Sequence, residues 1–395
     1  MTSGESVAEP EDGSPSPSVG AVASTHRSKW RLAGGALGLA GLMLAVATIG
    51  PLYQTGSAVW ASLADTAWAG TPPASLPIGA CINLGNHFET PLGGEHPGKR
   101  LDAGDMANIR AAGFNTVRLP VNWRSQSDPN PPYQIDPQWL ARVSDMVDAA
   151  LANGLNVIID SHHFFAVNTD PDANTVRLAA IWKQLATHFA QKSPKRVWFE
   201  LHNEPHDSLT NDNLMKVLGP SLAAIRSVSP TRPVIIGGEH ASHVDSLATL
   251  ELPSDPYVFP TFHYYEPFFF THQGATWGKG KPPPLGRVYG IPGDAERLVT
   301  DTQKVRNYIQ RTGKIPFIGE TGAYDTAPLP QRVKYVRAVH RAFTPLGVSQ
   351  CYWGYTNTFP FYDYKAQRWL PGMLGAIGLH DPVPPAVHPT AAAAQ

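Results

Sequence analysis

The sequence is short of cysteine: 395 residues carry two, Cys81 and Cys351. Two cysteines build neither a disulfide scaffold nor a CxxC metal site. Charge is scarce as well, at 16% of residues, and the signs nearly cancel to a net −1. That leaves no basic footprint for nucleic acid, and none is expected as a partner. There is no internal repeat and no HExxH, so no metal motif announces itself. One stretch lacks charge altogether, from Leu32 to Ala64.

Within it, Leu32 to Tyr53 is strongly apolar. About twenty such residues cross a bilayer as a helix. Arg27, Lys29 and Arg31 stand just before the run. The positive-inside rule then puts the N-terminus in the cytoplasm and everything after the helix outside. Residues 1–31 read as a disordered cytoplasmic tail, 32–53 as a transmembrane signal anchor and 54–75 as a linker. The expected place is the cell membrane, single-pass, with the remainder on the extracytoplasmic side. Secretion after cleavage is the alternative, because Ala67-Trp68-Ala69 has the A-x-A arrangement of a cleavage site. The apolar run exceeds the usual h-region of about 7–15 residues, which favours the anchor.

What is there in quantity is apolar surface: 42% of residues are hydrophobic, enough for a large core. Short apolar runs recur at 78–84, 115–121, 156–162, 196–202, 233–239, 257–263, 316–322 and 349–355. Helical patterns lie between most of them. Asp136-Pro137 reads as an N-cap with proline at N1, and Leu140, Val143, Met146, Val147 and Ala150 then share a face. Ile181, Leu185 and Phe189 repeat every fourth residue, and 301–308 and 331–343 also read as helices. Eight strand-helix units over this length predict an α/β fold, a (β/α)8 TIM barrel over 76–380. Residues 381–395 read as a disordered tail.

Chemistry in such barrels sits at the C-terminal ends of the strands. The second run delivers Arg118 there, the third Asp160, His162 and His163, the fourth Asn203 and Glu204. The sixth delivers His263 and Tyr265, the seventh Glu320 and the eighth Trp353. A lone histidine or glutamate at a strand end is usually structural, but six of eight strands converging is not a packing habit. Glu204 and Glu320 form the carboxylate pair that glycoside hydrolysis needs. An acid at Glu204 requires a raised pKa, and an ionised Glu320 requires partners such as Arg118 and Tyr265. Asn203 suits a sugar hydroxyl. Pro205 biases Glu204 toward an extended backbone. His202 and His206 are left as structural.

Seven motifs then appear in a fixed order: INLGN (82–86), VRLPVNW (117–123), IIDSHHF (158–164), FELHNEPH (199–206), HYYEPF (263–268), IGETGAY (318–324) and YWGY (352–355). Together they resemble glycoside hydrolase family 5, the large cellulase family, and FTHQGATW (270–277) resembles one bacterial group of endoglucanases within it. The resemblance implies a retaining endo-β-1,4-glucanase acting by double displacement, with Glu204 as acid/base and Glu320 as nucleophile. It implies no cofactor, no metal, a β-linked polysaccharide as partner and a monomer. Arg118, His162, Asn203, His263, Tyr265 and Trp353 would line the subsite of the reacting sugar. His163, His272, Trp277, Asn86 and Glu89 would make further sugar contacts. The family commonly has an aromatic after its nucleophile, where this chain has Thr321. With the anchor, the expected task is polysaccharide breakdown or trimming of a glucan at the cell's own envelope.

Three alternatives stand beside this. A β-mannanase or another β-glucan hydrolase would share the motifs. A non-catalytic polysaccharide binder would keep Trp277 and Trp353. A metal hydrolase would draw on His162, His163, His202, Glu204, His206 and His263. Cys81 and Cys351 fall on neighbouring strands of a closed barrel and are expected to be two small buried hydrophobes, since bridging adjacent parallel strands strains a disulfide.

Overall fold

A computed structural model describes residues 74–90, 100–277 and 280–382. The expected cytoplasmic tail, the anchor at 32–53, nearly all of the linker and most of the C-terminal tail lie outside the described residues. Among the described residues no helix is long and apolar enough to cross a membrane.

Eight parallel strands close into a barrel in chain order. They are β1 (Ala80–Asn83), β2 (Thr116–Val121), β3 (Asn156–Ser161), β4 (Val197–Glu200), β5 (Val234–Gly237), β6 (Val258–His263), β7 (Phe317–Thr321) and β8 (Gln350–Tyr352). All eight expected runs contain one. Helices surround them: α1 (Ala103–Ala111), α2 (Pro137–Ala152), the short α3 (Phe165–Thr169), α4 (Pro171–His188), α5 (Leu214–Arg226), α6 (Pro292–Thr312) and α7 (Leu329–Phe343). α2 starts where its sequence says: Asp136 accepts from Trp139 N at 2.8 Å, and Trp139, Val143, Met146, Val147 and Ala150 are buried. No ordinary helix succeeds β5. A left-handed turn at His240–Ser242 and a 3-10 segment at Val244–Ala248 stand in its place.

Side chains alternate across a strand, so every second residue points into the barrel. The lowest interior layer is apolar, with Ile158, Trp198, Ile235, Phe259 and Phe317 buried together. Two residues further along β3 and β4, Ile158 gives way to Asp160 and Trp198 to Glu200. On β1, Cys81 gives way to Asn83. The interior therefore turns from hydrocarbon to ionic just below the mouth.

The cysteines correct the expectation. Cys81 and Cys351 are bonded. They are direct register partners on β1 and β8, and both are wholly buried in the apolar interior layer. Adjacency alone argued against a bridge, but register decided it: both side chains leave directly paired backbone positions on the same inward face. The bond joins the first and last strands across 270 residues of chain.

Candidate active site

Arg118, at the middle of β2, organises the mouth. It is wholly buried among three carboxylates, and all five of its N–H groups are used. Nε and Nη2 each donate to Glu200 at 2.8 Å, a bidentate pair. Nη1 donates to Asn83 Oδ1 at 3.0 Å and to Glu320 Oε1 at 2.7 Å. Nη2 also donates to Asn203 Oδ1 at 2.8 Å and lies 3.0 Å from Asp160. Arg118 is thus wholly buried beneath Glu320 and Asn203 and holds both from below. Burial opposes its charge, yet Asp160, Glu200 and Glu320 hold its pKa well above the usual arginine value. Glu200 escaped the sequence reading, although its spacing from inward-facing Trp198 marks it.

Glu320 lies on β7 with both oxygens engaged. Arg118 holds Oε1, and the Tyr265 hydroxyl donates to Oε2 at 3.0 Å. Burial keeps the Tyr265 phenol protonated, well above its usual range, so it stays a donor. Glu204 lies four residues beyond the end of β4 and is partly open, its side chain 31% exposed. The shortest approaches among Glu204, His263 and Glu320 are all within 4.8 Å. This is the separation that sequence does not give. So short an approach of the oxygens agrees with the closer spacing of a retaining pair, about 5–5.5 Å between carboxyl groups.

The backbone at Glu204 departs from expectation. Its φ is +51°, left-handed, where Pro205 was expected to keep it extended. Tertiary contacts override the local preference. His206 Nδ1 donates to Glu204 O at 2.6 Å, and Ala241 N donates to Pro205 O at 2.9 Å. Asn168 Oδ1, on α3, accepts from His202 Nε2 at 2.9 Å and from His206 N at 3.3 Å. So His202 and His206 hold the turn that carries Glu204. Asn168 was not visible as a partner, because nothing in a sequence places α3 against 202–206. Held non-glycine residues at positive φ gather at functional sites.

The protonation pattern also differs. Burial alone would raise Glu204, but the His263 hydrogen bond at 2.7 Å, the charges of His263 and Arg118 and that of His206 hold it below the usual carboxylate range. Burial raises Glu320, and the Glu204 charge adds to this against His263 and Arg118. Asp160 is pushed well up by burial, against Arg118, and meets His162 Nδ1 at 2.5 Å. Burial pushes His162 well down, so it is neutral. Burial thus favours the protonated forms of Asp160 and Glu320, although Arg118 stands beside both.

The remaining predicted residues surround this centre. Asn203 turns its oxygen down to Arg118, which leaves its NH2 for the cleft. Trp353 lies parallel to His162, with ring centroids 5.7 Å apart. Two glycines admit Trp353: a Cβ on Gly85 would meet its ring at 2.7 Å, and one on Gly322 its carbonyl at 2.3 Å. His272 stacks on Phe268 at 4.4 Å and, with Trp277, packs around Phe359. Trp277 is 56% exposed on the rim. His163 bonds the Glu89 carbonyl. Asn86 occupies a left-handed turn, φ +61°. Glu89 is buried and turns its carboxylate to the backbone N–H groups of Asn86, His87 and Phe88. Burial raises it to about 7. Thr321, beside Glu320, shares a hydrogen bond with the Tyr335 hydroxyl at 3.2 Å.

The metal-hydrolase histidines do not converge. Among the described residues only Glu204, His263 and Glu320 come together in metal-ligand fashion, and there Arg118 already supplies a cation against Glu320.

The family model described as Cellulase (glycosyl hydrolase family 5) matches residues 86–358. Endoglucanase H of Acetivibrio thermocellus is 32% identical over 298 residues, 72% of this chain and 32% of the relative. Endoglucanase B of Clostridium cellulovorans is 27% identical over 329 residues, 73% of this chain and 70% of the relative. The chain thus spans about a third of the length of Endoglucanase H. Among solved structures, endoglucanase Cel5A of Thermotoga maritima is 33% identical, with a TM-score of 0.72 over 76% of this chain and 97% of that one. The clostridial cellulose synthase subunit Z from Clostridioides difficile is 28% identical, with a TM-score of 0.72 over 76% of this chain and 99% of that one.

Proposed function

This chain belongs to glycosyl hydrolase family 5, and we propose from that premise that it is an endo-acting β-1,4-glucanase that hydrolyses with retention. The observation that carries the reading is the carboxylate pair, within 4.8 Å at its nearest oxygens, with Arg118 and Tyr265 both on Glu320. Glu320 attacks the sugar's anomeric carbon while Glu204 protonates the departing oxygen. Water then enters against Glu204, now the base, and releases the sugar.

The roles derive from asymmetry. A protonated His263 holds Glu204 ionised. Against burial, Glu320 and Glu204 raise the His263 pKa, so Glu204 becomes the acid by taking the proton of His263 along their 2.7 Å hydrogen bond, and the strong donors left on the pair then both face Glu320. The single proton the two carboxylates share then rests on Glu204, which is the acid form the first step needs. Asn203 offers its NH2 to a hydroxyl beside the reacting carbon, and Trp353 offers a flat apolar face to the ring. The endoglucanase relatives support the choice of substrate.

A second substrate has a specific support: Thermotoga maritima Cel5A has been solved with mannotriose as well as with cellobiose. The test is reducing-end release and viscosity on carboxymethyl-cellulose and on mannan by the full chain, with Glu204→Gln and Glu320→Gln alongside. Wild type is expected to thin the cellulose solution, and both variants to lose about 10²–10⁴-fold. Faster attack on mannan would move the substrate, and inertness on both would remove the reading.

We further propose that the enzyme is tethered at the cell envelope. The apolar run 32–53 behind its basic flank supports this, as does a disulfide, which is formed in oxidising compartments. The likeness to a cellulose synthase subunit fits trimming of an exported glucan.

A further inference from the structure

A row of rings leads away from Trp353. His162 lies parallel to it, 8° between planes. His163 meets His162 edge-on at 4.7 Å. Phe165 then stacks on His163, with centroids 5.0 Å apart and 26° between planes. Phe165 is the outermost ring and is 53% exposed. One of its faces rests on His163, and the exposure leaves the other toward solvent. A single exposed aromatic is ordinary. One that ends a contiguous row beginning at the sugar platform is not.

The direction of the row can be read. α3, which carries Phe165, is bonded through Asn168 to His202 and His206, on either side of Glu204 in the catalytic turn. Glu204 protonates the leaving oxygen, so groups beyond it on this side face the sugars that depart. The backbone of this segment is not free to drift: His163 bonds Glu89 O, and Asn168 in the same short helix as Phe165 bonds the catalytic turn. Phe165 is thus carried on a fixed support.

Resting on the endoglucanase reading above, we infer that Phe165 is the stacking platform of an outer leaving-group subsite, which takes a pyranose ring of the β-linked chain. A pyranose presents a face of C–H bonds that an exposed aromatic ring covers well, and the gain is that of one aromatic contact.

The test compares cellopentaose, which fills the leaving-group side with sugars, and 4-nitrophenyl β-cellobioside, which has none there. Phe165→Ala is expected to lower kcat/KM on cellopentaose about three- to tenfold, mainly through KM. On the nitrophenyl substrate it should match wild type, and Phe165→Trp should keep cellopentaose activity. Equal rates for Phe165→Ala and wild type on both substrates would overturn the inference. Equal losses on both would also overturn it, making Phe165 a packing residue of His163. A wild type that cleaves neither would remove the glucanase reading itself.

Discussion

Glu320 has one donor on each oxygen, and the two are of different kinds. Arg118 is a buried cation that also serves Glu200, Asn203 and Asn83. Tyr265 is a neutral donor that meets Glu320 through its hydroxyl alone. Tyr265→Phe is therefore the cleaner probe. Losing a hydrogen bond to the ionised form raises the carboxyl's pKa, and the nucleophile must be ionised. The acid limb of kcat/KM should move to higher pH and kcat should fall about tenfold or more, the size of a hydrogen bond to a charged group. An unshifted acid limb would show that Tyr265 does not act on the nucleophile. Much at this scale was legible in the sequence. Glu204 and Glu320 stand out because carboxylates at the ends of apolar runs have few other uses. Glu200 did not, because a glutamate inside such a run reads as noise until Arg118 is placed beside it. The depressed Glu204 was not legible either, since it depends on where His263 points.

The catalytic turn is an assembly of elements. β4 ends at Glu200, and the irregular chain beyond it is held from two sides. On one side α3 contributes Asn168, whose single oxygen ties His202 and His206. On the other, the left-handed turn after β5 supplies Ala241 N to the Pro205 carbonyl. Asn168→Ala should lower kcat about tenfold with KM little changed, because the sugar contacts stay while the acid loses its alignment. Asn168→Asp, which keeps an acceptor in place, should recover most of the rate. A matched change in kcat and KM, or no recovery, would assign Asn168 to general packing. Strand positions were readable because period two and apolar runs are local. The left-handed backbone at Glu204 and at 240–242 was not, because local preference argues against it and only contacts distant in sequence impose it.

At the scale of the whole molecule, the disulfide and the N-terminal run make one claim. The Cys81–Cys351 bond locks β1 to β8 where the barrel closes, inside an apolar layer that reductants do not reach while the fold is intact. Its loop is long, and removing such a bond from a native domain costs roughly 2–5 kcal/mol. If the chain works outside the cytoplasm on a tether, cells lysed with thiols blocked should yield it in the membrane fraction with no free thiol, and Cys351→Ala should unfold at a clearly lower temperature. Protein found in the medium, or with two free thiols, would contradict the placement. The pairing could not be read from the sequence because strand adjacency is visible there and register is not.

Glu320 is the group proposed to attack the sugar. Incubation with a 2-deoxy-2-fluoro β-cellobioside bearing a good leaving group, then intact-mass and peptide analysis, tests it directly. Fluorine slows both steps, but the leaving group restores the first, so the intermediate accumulates. The account predicts one added fluorocellobiosyl unit, carried on the peptide containing Glu320 and absent in Glu320→Gln. Substrate turned over with no adduct, or an adduct on Glu204, would contradict it.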